Sequence, residues 1–282
     1  ASTIIGTFSG NSDPNNPEDG IQAVGLDFTI LNSGTISMSA PLSSALRIDI
    51  DGLGSATISN TGTLSAPNAG LLVTAPQGQI SVFNSGLIAT SGIGSAGVFL
   101  NTGANATSVF TNTGTVAVEN GTLSILGGSG RDEFFNSGTV EGRIALGGGD
   151  DRVTLQTGSV LDSAELGGVL DGGGGSDELI LSGEGTLGIS VTSIEEITKF
   201  GQGRWSLLQD VAGIERTRVI EGEIFIESGV MLTSHEVQIF TDGFLTLGGT
   251  LTGIIENQGT LLVSPGSTIE GSFTQTETGI LS

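Results

Sequence analysis

The chain is 282 residues long; Gly supplies 48 of them, charged residues only 13%, and cysteine is absent. Against 30 Asp plus Glu stand 8 Lys plus Arg, and the net charge of -22 repels phosphate backbones and anionic membrane surfaces, which argues against nucleic acid as a partner. No disulfide, thiolate metal site or cysteine nucleophile exists, yet the 37% of apolar residues is enough to bury a core.

From the N-terminus, Ala1-Ser2-Thr3 lacks the basic and apolar stretches of a secretion signal, so any such signal is expected to have been removed. The segment Asn11–Gly20 is the most polar and least repetitive stretch of the chain. It suits either a cap over the open end of a repeat stack or a contact with a ligand. No apolar run approaches the roughly 18 residues of a membrane helix, so direct membrane insertion of this segment is not expected.

Internal repetition begins at Asn32. The pattern Asn-Ser/Thr-Gly-x-apolar recurs at Asn32, Asn60, Asn84, Asn112 and Asn136, at spacings of 28, 24, 28 and 24 residues, with a looser copy at Asn257. Between these copies lies a second family, at Ala45-Leu46-Arg47-Ile48, Ala69-Gly70-Leu71-Leu72 and Ala96-Gly97-Val98-Phe99, advancing by 24 and 27. Both families share one period, and the strand-like pieces alternate apolar residues with Ser or Thr, the two-residue period of a half-buried strand. Near-identical corners at fixed spacing fit stacked coils better than a hairpin sandwich. The expected fold is therefore all-β, a single right-handed parallel β-helix (β-solenoid) of about 11 coils at about 25 residues each. The five asparagines are expected to form a structural corner ladder, their amides hydrogen-bonding along the stack.

The middle of the chain changes character. Gly127-Gly128-Ser129-Gly130-Arg131-Asp132-Glu133-Phe134-Phe135 and Gly172-Gly173-Gly174-Gly175-Ser176-Asp177-Glu178-Leu179-Ile180 fit G-G-x-G-x-D-x-apolar-x, and Leu146 to Thr154, with Asp151, fits except at its first glycine. This pattern resembles the calcium-binding β-roll repeat, which implies a weak calcium site at Asp132, Asp151 and Asp177. The spacings of 19 and 26 isolate the three copies, one per coil, so at most a partial site is expected. The other reading is a glycine corner whose aspartate caps the turn, with no cofactor.

In the last third, Lys199-Phe200-Gly201-Gln202-Gly203-Arg204-Trp205-Ser206-Leu207 is followed by Thr217-Arg218-Val219-Ile220-Glu221-Gly222-Glu223-Ile224. Together they resemble the passenger-associated repeat of bacterial autotransporters, departing conservatively at Phe200 and Ile224. Val263-Ser264-Pro265-Gly266-Ser267-Thr268-Ile269, followed by Phe273-Thr274-Gln275, is similar to the segment preceding the C-terminal end of such passengers. The resemblance covers residues 195–282 specifically. It implies a passenger exported across the outer membrane of a Gram-negative bacterium and displayed at the cell surface. The implied role is adhesion to a host or neighbouring-cell surface glycan or protein, or self-association in aggregates and biofilm. Trp205 would plug a narrow core, the alternative being a sugar-stacking platform.

The organisation expected is one continuous solenoid in three stretches: Asn-cornered coils with an N-terminal cap over 1–126, glycine-aspartate corners over 127–185, and passenger-like coils over 186–282. No catalytic constellation assembles from the sequence, so an enzyme is not expected. His235 is the only histidine, and no G-x-S-x-G elbow occurs. The alternative function is a polysaccharide-degrading β-helix enzyme, for which Asp49 with Asp51 and Asp150 with Asp151 are the available carboxylate pairs.

Overall fold

The computed structural model describes residues 2–5, 8–9, 19–92, 96–119, 123–162 and 168–282, with the backbone alone at 2–5, 8–9 and 162. Residues 11–18 of the expected N-terminal loop lie outside this set. Among the described residues the chain is all-β, with no helix. The strands wind into a right-handed parallel β-solenoid whose coil count is close to the eleven expected.

One coil shows the plan. Gln79–Asn84 forms a first face, Leu87–Thr90 a second and Ala96–Thr102 a third; the next coil repeats them as Thr107–Asn112, Thr115–Val118 and Leu123–Leu126. Each strand lies parallel to its copy one coil on, Ile80 opposite Ser108, Ile88 opposite Val116, and Val98 opposite Ile125. Alternation decides what is buried. In Gln79–Asn84 the residues Ile80, Val82 and Asn84 point inward while Gln79, Ser81 and Phe83 point out.

Because equivalent residues stack, the core is a set of columns. The central column of the first face runs Ile58, Val82, Phe110, Phe134, Val153, Leu179 and Ile197. Phe110 and Phe134 stack with ring centroids 5.4 Å apart and planes 16° from parallel. Each side chain of this size stabilises the fold by about 1.5–3 kcal/mol when fully buried. Its contacts are local to adjoining coils, so the stack is held by nearest-neighbour terms.

The coils are not uniform. Along the first face the step is 19 residues from Glu133 to Arg152 and 26 from Arg152 to Glu178, then 18 to 20 through Glu196, Arg216, Glu236, Ile254 and Ser272. The single period of 24 to 28 thus ends at Asn136, because the connections change length while the paired strands persist. Several strands also turn corners without a break, Ser44–Asn60 serving two faces and Val211–Ile226 and Met231–Leu247 three each, so the short pieces of alternation understate strand length. In the second repeat family Ala69 does pair with Ala96, but its partner in the preceding coil is Ser44 rather than Ala45. Both residues are buried at that corner, so alternation alone could not choose the register.

Candidate functional site

Two corner columns flank the first face, and the singled-out residues fall into them. Asn32, Asn60, Asn84, Asn112 and Asn136 form one. All are at most 2% exposed, and the Nδ2 of each of the first four donates to the Oδ1 of the next at 2.7 to 2.8 Å. The same Nδ2 atoms reach the carbonyl two residues on, as Asn84 does to Gly86. The ladder is a closed hydrogen-bond network, as expected from the repeat. Past Asn136 the column continues through Leu155, Leu181, Lys199, Val219 and Ile239 before returning to asparagine at Asn257.

Lys199 is the unexpected occupant. It is fully buried, and its Nζ donates to the carbonyls of Phe200, Gly201 and Glu221. No carboxylate oxygen lies within ion-pair distance of it among the described residues. Burial pushes its pKa down to about 8, against a smaller opposing pull from Glu221. An unfolded lysine holds its proton to about 10.5, so the folded chain gains stability as pH rises from about 8 to 10.5. Lys199→Met is expected to abolish that rise in thermal melts; equal slopes in both proteins would contradict this account.

The second corner column changes character along the rod. Paired positions run Ala56, Ile80, Ser108 and Asp132, and hydrogen bonds carry it on to Asp151, Asp177 and Glu195. The amide N–H of Asp132 donates to Asp151 Oδ1 at 2.7 Å, that of Asp151 to Asp177 Oδ1 at 2.8 Å, and that of Asp177 to Glu195 Oε2 at 2.7 Å. The unequal spacings of 19 and 26 therefore do not keep the aspartates apart: coil lengths vary, yet the corner register holds. Asp132 itself accepts from Ser108 Oγ at 2.5 Å and from the Gly128 amide at 3.0 Å, which is the turn-capping geometry.

The glycines of the nonapeptide have a packing reason. A Cβ at Gly172 would lie 2.6 Å from Asp177 Oδ2, and one at Gly127 would overlap Asp132 Oδ2. In these two motifs the first glycine makes room for a backbone carbonyl of the next coil, that of Ser193 at Gly172 and that of Leu146 at Gly127, as well as for the carboxylate five residues later. Gly172→Ala is accordingly expected to cost about 2 kcal/mol or more, through overpacking against the Ser193 carbonyl and a buried carboxylate. Chemical denaturation checks this, and a change below about 0.5 kcal/mol would contradict it. Among the described residues no group of three or more acidic or histidine side chains is disposed to hold a metal ion.

Beside this column lies a polar groove of about 370 Å³, to which Asp151 and Asp177 of the column itself contribute together with Arg131, Asp150, Arg152, Ser176, Glu178, Glu196 and Arg218. Its arginines are engaged on the surface: Arg131 with Glu133 at 2.6 Å, Arg152 with Glu178 at 2.8 Å, and Arg218 with Glu196 at 3.1 Å. Each exposed pair of this kind is worth about 0–1 kcal/mol.

The remaining candidates do not converge. His235 is exposed, and Asp49 is paired with Arg47 at 3.0 Å while Asp51 faces solvent. Exposed Asp150 accepts the Ser176 amide at 3.0 Å beside buried Asp151. Trp205 is fully buried, with Nε1 donating to the Ser182 carbonyl at 3.3 Å, so it is a core plug and offers no platform to a sugar. Sequence reasoning missed Glu195 as the end of the carboxylate column, because no glycine motif precedes it. Lys199 carries no signal in the sequence beyond its place in the Lys199–Leu207 pattern. No protein-family model, curated protein or solved structure matches the chain.

Proposed function

We propose that the chain is the surface-exposed stalk of a bacterial autotransporter passenger, without enzymatic activity, that adheres to a glycan or protein on another cell or associates with its own kind. The observation that carries this reading is the continuous stack: paired strands from Ser2 to Leu281 build a rod whose outer faces are ladders of side chains. A structure of this kind offers broad repeated surfaces for adhesion. The exposed Phe200, Phe244, Ile254 and Leu262 in the C-terminal coils add apolar contact area suited to self-association. The passenger-like segment over residues 195–282 supports the export route.

A second reading, polysaccharide degradation, is favoured by the mixed-charge groove beside Asp150 and Asp151. Sedimentation, a glycan array and a reducing-sugar assay on a polysaccharide panel separate the two. The stalk reading expects an elongated particle that binds glycans or self-associates and releases no sugar. Sugar release that disappears in Asp150→Asn would replace it with the enzyme reading.

A further inference from the structure

We propose that the carboxylate column Asp132–Asp151–Asp177 is a proton-binding site that holds the middle coils together when protonated and loosens them when it ionises. The geometry is specific. All three side chains are buried, at 4%, 2% and 1% exposure. The Oδ1 atoms of Asp151 and Asp177 accept amides of the preceding coil, whereas their Oδ2 atoms are buried without any hydrogen-bond partner among the described residues. A buried carboxylate oxygen without a donor is costly as an anion and far less so as a hydroxyl.

Among the described residues the surroundings supply no unpaired counter-charge. Facing Asp151 are Asp132, Asp177 and Asp150, and facing Asp177 are Glu195, Asp150 and Asp171. The groove arginines Arg131, Arg152 and Arg218 are paired with Glu133, Glu178 and Glu196, as described above. Around Asp132, among the described residues, stand the neutral donors Ser108, Thr102 and Gly128 and, one coil on, the carboxylate of Asp151. Ionised together, the three would place like charges on successive coils, about 4.8 Å apart. A hard metal ion would need six to eight oxygens at about 2.3–2.6 Å, and among the described residues no group of three or more acidic or histidine side chains is disposed to hold one. Asp177 Oδ2 instead packs against the backbone of Gly172. A proton adds no volume.

Burial is also the main cause that raises all three acids, Asp151 to about 8. The folded column binds protons more tightly than the unfolded chain. Its stabilisation is therefore complete below the ordinary aspartate pKa of 3.8 and is lost as pH rises through about 8. The rod becomes firmer in acid and looser in its middle in mild base.

Thermal melts of the full chain at pH 5 and pH 9 test this, using wild type, Asp151→Asn, Asp177→Asn and the exposed control Asp242→Asn, each with and without millimolar calcium. Wild type and the control are expected to lose about 5 °C or more between pH 5 and pH 9. Asp151→Asn, a permanent mimic of the protonated acid, is expected to lose clearly less. A carbon-13 carboxyl titration of wild type, which needs no variant to fold, is expected to show Asp151 ionising well above the usual carboxylate range. An ordinary titration, or the same pH profile in wild type and Asp151→Asn, would overturn the proposal. A calcium-dependent rise in midpoint at pH 9, lost in the two column variants, would overturn it in favour of a metal site.

Discussion

Asn84→Leu is expected to destabilise the rod by about 3 kcal/mol, whereas Asn136→Leu, at the end of the same ladder, costs about 1 kcal/mol. Asn84 is an interior member: its Oδ1 accepts from Asn60 at 2.7 Å, and its Nδ2 donates to Asn112 Oδ1 at 2.8 Å and to the carbonyls of Gly86 and Thr115 at 3.3 Å. Leucine there takes from the Asn60 amide its shortest acceptor and from the Asn112 oxygen its asparagine donor, in a site that excludes water. Asn136 has asparagine on one side only. It accepts from Asn112 at 2.8 Å and donates to Gly138 at 2.9 Å, while its other neighbour in the column is Leu155. Leucine there extends an apolar run that Leu155 and Leu181 already form. Denaturant unfolding followed by circular dichroism separates the two. Equal costs at both positions would show that side-chain volume, not the amide network, decides the corner.

Trp205→Ala is expected to cost about 4 kcal/mol, in the range for removing a large aromatic from a core. The ring is fully buried and lies over Gly185 in the coil before and under Ile224 in the coil after. Gly185 is glycine because of that ring: a Cβ there would come within 2.7 to 2.9 Å of three of its carbon atoms. Gly185→Ala alone should therefore destabilise the stack. Combined with Trp205→Leu it should cost less than the two single changes added together, a coupling that a double-mutant cycle reads directly. Because Trp205 is the only tryptophan, circular dichroism is again the signal. Strict additivity would mean that the glycine is required for some other reason.

Much of the architecture was legible because a solenoid repeats its corners. Five Asn-Ser/Thr-Gly copies with alternating residues before them imply stacked coils, since only stacking gives the same corner the same neighbours every turn. That regularity ends at Asn136. The coils beyond it keep their pairing but lose the asparagine and shorten to 18 to 20 residues along much of the C-terminal third. Alternation marks inward residues within a strand but does not say which residue one coil away lies opposite. Hence Ser44 rather than Ala45 as the partner of Ala69, and hence the carboxylate column, whose spacings looked too irregular to align.

What the amino-acid sequence determined by itself is the all-β parallel stack and the asparagine ladder, both consequences of local periodicity and side-chain character. Only the tertiary structure decided that Asp132, Asp151, Asp177 and Glu195 share one corner, that Lys199 takes an asparagine's place inside a cage of carbonyls, and that Gly127, Gly172 and Gly185 are small for the sake of a neighbour. The physical reason is common to all three. Each depends on inter-coil register, which is set by the summed backbone pairing of the stack while the connections between strands change length freely.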